Sequence, residues 1–142
     1  MRQQQSEKKL FDYAVVRLVP RVEREEFINV GVIVSCAARE FLKAKIALDE
    51  NRVRAFAPWA EIEQARKHLA AFEKICAGGD SAGPIGALPA RARFHWLTAA
   101  RSTIIQTSPV HTGLCGDPET ALKRLFQTMV EPVASATMDA ER

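Results

Sequence analysis

No apolar run in this 142-residue chain approaches the roughly 20 residues that a membrane helix needs. Residues Met1 to Lys9 are polar and lack the apolar stretch of a secretory leader, so the expectation is a cytoplasmic protein. Cysteine is scarce too: Cys36, Cys76 and Cys115 are odd in number, widely spaced and without a CxxC pair, which points to free thiols and to neither a disulfide framework nor a zinc knuckle. The three histidines, His68, His95 and His111, are scattered with no HExxH pattern, so no metal site and no cofactor are expected. There is no GxxxxGKS/T phosphate loop, no GxGxxG turn and no GxSxG elbow, which removes the usual support for ATP hydrolysis, dinucleotide chemistry and serine hydrolysis. Acidic residues are missing from the whole stretch between Asp80 and Asp117, which holds Arg91, Arg93, Arg101, His95 and His111. That stretch should carry a positive local field, although the net charge of +3 is by itself too small to imply nucleic-acid binding.

What remains is an ordinary globular composition, 47% hydrophobic and 26% charged, long enough to bury one core. We expect a disordered tail over 1–10, a single α+β domain over 11–132 and a frayed tail over 133–142. Residues Asp12 to Pro20 and Ile28 to Cys36 are dense in β-branched side chains and read as the strands of a long hairpin, with a helical turn in the charged loop Arg21 to Phe27. Phe41 to Leu48 alternates apolar and basic residues and reads as a third antiparallel strand. Asp49 is placed to cap a short helix through Ala57. Ile62, Ala65, Leu69, Phe72 and Cys76, at intervals of three and four, mark an amphipathic helix that Gly78 and Gly79 end. A further helix follows over about Pro89 to Ala100 with Phe94 and Leu97 inward, then a strand over Thr103 to Thr107 and a loop over Ser108 to Gly116. Asp117 as N-cap, Pro118 at the first helical position, and Leu122, Leu125, Phe126, Met129 and Val130 on one face define the last helix. The expected architecture is therefore an antiparallel sheet of three or four strands with three to four helices packed on one face.

Strand alternation assigns two faces. Ala14, Val16 and Leu18 with Val30, Val32, Val34, Leu42, Ala44 and Ile46 form the core face. The other carries Tyr13, Val15, Arg17, Asn29, Gly31, Ile33, Ser35, Lys43 and Lys45, a mixed surface of basic character. Pairing Val16 with Val30 sets Arg17 opposite Asn29 and Val15 opposite Gly31, where the missing side chain leaves room for a ligand on the sheet. A planar guanidinium suits a carboxylate or phosphate; the alternative is a structural ion pair of Arg17 with Glu25 or Glu26.

The run YAVVRLVPRVEREEFINVGVIV combines an aromatic residue, an R-x-V-P strand end, a charged loop with E-x-x-N, and V-G-V. In Tyr13, Arg17, Pro20, Glu26, Asn29, Val30, Gly31 and Val32 it resembles the opening signature of a bacterial family catalogued as domain of unknown function 3037, and a looser likeness extends to the final helix with Leu125, Phe126 and Val130. The resemblance brings no activity with it. Members of that family tend to sit beside genes for HipA-like kinases, which implies an accessory or partner role.

Two functional readings follow. In the first, a binding or accessory protein holds an anionic group of a partner protein or nucleic acid with Arg17, Asn29, Gly31, Lys43, Lys45 and Arg101. In the second, a small metal-dependent hydrolase or nuclease uses Glu26 and Asp49 for acid/base or metal-binding chemistry. Cys115, in HTGLCGD with His111 four residues earlier, is a weaker candidate nucleophile. A strand at the sheet edge is a further place for a partner to add.

Overall fold

The computed structural model describes residues 7–132. The expected C-terminal tail and most of the N-terminal one lie outside these residues, and the first strand takes in Lys9 and Leu10. The sheet comprises β1 (Lys9–Leu18), β2 (Ile28–Cys36), β3 (Phe41–Ile46), β4 (Ile105–Thr107) and β5 (His111–Cys115). Its order is β3-β2-β1-β4, with β5 also paired to β1, and every pairing is antiparallel. The helices are α1 (Glu50–Phe56), α2 (Ile62–Ala77), α3 (Gly83–Gly86), α4 (Ala90–Thr98) and α5 (Pro118–Met129), with short 3₁₀ turns at Val22–Arg24, Ala37–Arg39 and Asp80–Ala82.

The α+β class, the antiparallel sheet and the opening hairpin agree with the sequence pattern; the strand count and the layering do not. β5 lies in the stretch read as a loop. It is paired along Lys9 to Tyr13 of β1, yet only Cys115 of its residues is buried, so it lacks the alternating apolar signal of a half-buried strand. β4 and β5 share one edge of β1. At their junction Ser108 donates its backbone N–H to the Val15 carbonyl (2.8 Å), and its Oγ accepts from the Val15 N–H (2.9 Å). The ladder thus continues up to Pro109, which has no N–H to give.

The helices cover both faces of the sheet. Against one face, α2 and α4 pack Ile62, Ala65, Leu69, Phe72, Phe94 and Leu97 onto Ala14, Val16, Leu18, Ile28, Val30 and Ile33. On the other, α5 packs Ala121, Leu122, Leu125 and Phe126 onto Phe11, Val32, Val34 and Cys36. Each such apolar side chain contributes roughly 1.5–3 kcal/mol when fully buried. The switch of faces within β2 has a definite cause. Val16 pairs with Gly31 but Arg17 pairs with Asn29, so Val30 is an extra residue in a β-bulge. Arg17 is opposite Asn29 as the sequence suggested, whereas Val15 is opposite Val32 rather than Gly31. Beyond the bulge the parity of β2 inverts. Ile33 and Ser35 turn toward α2 and α4, and Val32 and Val34 turn toward α5.

The helix ends follow local chemistry. The Asp49 carboxylate accepts from the Arg52 N–H at 3.2 Å, and that of Asp117 accepts from the Glu119 N–H at 3.2 Å and the Thr120 hydroxyl at 2.7 Å. α2 stops at Gly78, whose φ of +79° suits glycine. A Cβ there would lie 2.8 Å from the Arg93 guanidinium carbon. Arg93 itself donates to the carbonyls of Ile75, Cys76 and Leu88 and so closes the C-terminal end of α2.

Candidate functional site

The residues singled out from sequence do not form one surface. Lys43 and Lys45 point from β3 toward α5, where Lys43 Nζ is 3.1 Å from Glu119 and the Lys45 ammonium sits 4.9 Å from the centre of the Phe126 ring. The expected open basic face is therefore roofed by α5, and its two lysines hold that roof. Gly31 offers no space for a ligand: a Cβ on it would meet Ile46 Cδ1 at 2.4 Å and the Lys45 carbonyl at 2.7 Å. Asn29 donates its amide to the Met129 carbonyl at 3.0 Å, and Arg52 donates to the Val130 carbonyl at 3.0 Å. Both thereby satisfy carbonyls at the C-terminal end of α5.

Arg17 and Arg101 do come together. With Val19, Phe27, Ser102 and Gln106 they line a cleft of 390 Å³ between the hairpin loop and the approach to β4, which Val22 and Glu25 complete. The ladder explains the approach, since Arg17 pairs across the strands with Gln106. The Arg17 guanidinium lies 4.0 Å from the centre of the half-exposed Phe27 ring, a cation–π contact. Its Nε is buried and has no hydrogen-bond partner among the described residues, and the Oδ1 of Asn29 is in the same condition. The structural ion pair proposed for Arg17 does not form: Glu26 is engaged by Arg24 at 2.8 Å, which holds the Glu26 carboxyl below its usual range, and Glu25 turns through a φ of +58° at the end of the 3₁₀ turn.

Arg101 stacks 4.2 Å from the centre of the Trp96 ring and donates to the carbonyls of Trp96 (2.6 Å) and Leu97 (3.1 Å), neutralising the C-terminal end of α4. Burial pushes its pKa down from the ordinary arginine value. The other two arginines of the acid-free stretch are spent on the fold. Arg91 bridges Asp12 (2.5 Å) and Ser35 (2.9 Å), and Arg93 closes α2.

The family signature now has a structural meaning, because Arg17, Asn29 and Gly31 surround the bulge. The profile of the family described as "Protein of unknown function (DUF3037)" matches residues 13–130. The chain belongs to this family. No curated protein and no solved structure matches the chain. The matched span contains the bulge, the cleft and α5 together, whereas four of the five β1 residues that pair with β5, Lys9 to Asp12, precede it.

The catalytic candidates occupy separate places. Asp49 caps α1, while Glu26 is exposed beside Arg24. Among the described residues no three His, Cys, Asp or Glu side chains are grouped to hold a metal ion. Cys115 is buried, and burial together with the neighbouring Cys36 pushes its thiol pKa up. His111 instead packs at a tilt of 36° against Tyr13, with ring centres 5.3 Å apart. Trp96 and Trp59 are large aromatic side chains left 40% and 50% exposed. Each lies under an arginine, Trp59 under Arg21 at 5.0 Å.

Proposed function

We propose that this chain is a binding or accessory protein that holds an anionic group of its partner in the cleft between Arg17 and Arg101. The observation that carries the reading is the Arg17 guanidinium: it lies over Phe27 and, among the described residues, has no carboxylate partner and keeps a buried N–H without an acceptor. A buried donor left unpaired costs roughly 1–3 kcal/mol, which an entering carboxylate or phosphate oxygen would offset. Lys43 and Lys45 leave the anion-binding set, since both are turned to α5. Asn29 and Gly31 take supporting roles, one tying α5 to the sheet and the other flanking the bulge. Under this reading the protein works in the cytoplasm, with a HipA-like kinase as one partner to test and nucleic acid as another.

The test compares the wild type with Arg17→Ala, each verified as folded by circular dichroism. Both are titrated with inorganic phosphate, single-stranded DNA and the HipA-like kinase at two salt concentrations. The expected result is binding that weakens with salt and falls about tenfold or more in the variant, the size of one charge-assisted interaction. Equal affinity in the two proteins would return Arg17 to a purely structural role.

A further inference from the structure

A second cavity adjoins the Arg17 cleft. It measures 210 Å³ and is walled by Ala71, Phe72 and Ile75 of α2, Trp96 and Leu97 of α4, and Ile105 of β4. Arg101 and Gln106 line both spaces, so the apolar groove and the cationic cleft meet at these two side chains. Among the described residues no acidic side chain lines the groove. Arg101 stands at the junction, its guanidinium fixed by the Trp96 ring and two helix carbonyls, with hydrogen-bond donors left over, because a guanidinium carries five. The depression of its pKa comes from burial alone, with no carboxylate contributing.

We infer that groove and cleft form one bipartite site for a small amphiphile, with a short acyl chain or single ring in the groove and a carboxylate or phosphate head at Arg101 and Arg17. This rests on the anion-binding reading and names the ligand class. Charge complementarity selects an anionic head. The groove's volume lies below the roughly 300 Å³ at which sites for larger small molecules begin, which selects a short body. Trp96, which lines the groove and stacks on Arg101, joins the wall for the apolar body to the guanidinium that receives the head.

The experiment is a chemical-shift titration of the full chain with acetate, butanoate, hexanoate and octanoate, with octyl phosphate, octanol and octylamine as controls. Affinity should rise by about threefold to fourfold per methylene until the groove is filled, with octanol and octylamine at least tenfold weaker than octanoate. Ala71→Leu, at an exposed helix position on the groove wall, should abolish the dependence on chain length while leaving phosphate binding intact. Arg101→Met, which keeps the apolar stem, should remove the preference for octanoate over octanol. A flat series, octylamine equal to octanoate, or chain-length dependence surviving Ala71→Leu overturns the bipartite site. So does single-stranded DNA that binds more tightly than octanoate and is indifferent to Ala71→Leu. If the series is flat while salt-sensitive phosphate binding at Arg17 persists, only the amphiphile is lost. If no anion binds at all, the anion-binding reading falls with it.

Discussion

Replacing Asp12 by asparagine should weaken the whole domain, because this carboxylate joins three elements. It accepts from Arg91 of α4 at 2.5 Å and from the Thr112 hydroxyl of β5 at 2.6 Å, while Arg91 also reaches Ser35 of β2. Its side chain is 17% exposed and that of Arg91 is 42% exposed. A hydrogen bond to a charged group contributes about 1.5–3 kcal/mol, but the open side of Arg91 is screened by water, so about 1–2 kcal/mol is the reasonable cost at pH 7. For a domain of this size that lowers Tm by about 3–10 °C. Burial pushes the Asp12 pKa up, yet the Thr112 and Arg91 hydrogen bonds and the Arg91 charge outweigh it, so the net shift is below the ordinary 3.8. A carboxyl with a depressed folded-state pKa stabilises fully above its unfolded value and loses that contribution as pH falls through the folded one. Urea unfolding of the wild type and Asp12→Asn should therefore show a gap at pH 7 that narrows toward pH 3. In an Arg91→Met background the same substitution should cost less, since the partner is gone. Equal midpoints at pH 7, or a gap that widens in acid, would refute the reasoning.

Two further outcomes are expected. Gly31→Ala should destabilise by about 1–3 kcal/mol, the usual cost of overpacking, because the added methyl meets the Lys45 carbonyl at 2.7 Å as well as the Ile46 side chain; denaturant midpoints measure it, and a neutral result would mean the bulge can shift. The Cys76 thiol, pushed by burial up to about 12, should react with Ellman's reagent only as the protein unfolds, so native-state labelling as fast as that of the denatured chain would contradict its burial in the core.

Much of the architecture was legible where neighbours in sequence are neighbours in space. The α2 positions Ile62, Ala65, Leu69, Phe72 and Cys76 are all buried, as their spacing required, and the Asp49 and Asp117 caps form. β5 was hidden for a physical reason: it is held by backbone pairing to β1 some hundred residues away, and its exposed side chains carry no periodic apolar mark. The layering failed for another. A single inserted residue reverses which side chains of a strand face inward, and no alternation pattern reports it. A glycine inside an otherwise regular strand is the one available sign, and Gly31 stands at the bulge. Of the site, Arg17 and Arg101 were named from sequence, but their convergence depends on the pairing of Arg17 with Gln106 across β1 and β4.

The bulge also explains why Arg17 is left facing a cleft. Beyond Val30, toward Cys36, one face of β2 presents Val32 and Val34, which demand an apolar cover, and α5 supplies it with Leu122, Leu125 and Phe126. The helix must end where that demand ends. Its last carbonyls, Met129 and Val130, are received by Asn29 and Arg52. Asn29 is the residue directly opposite Arg17, so the helix stops at the row of the sheet that Arg17 occupies. Without the bulge, Val32 and Val34 would lie on the face of α2 and α4 with Val30, and Ile33 would be left as the one large apolar β2 side chain to hold α5 on the opposite side. Removal of Val30 should therefore cost more than one side chain's burial: it would detach α5 and shift the wall against which the Arg17 cleft forms.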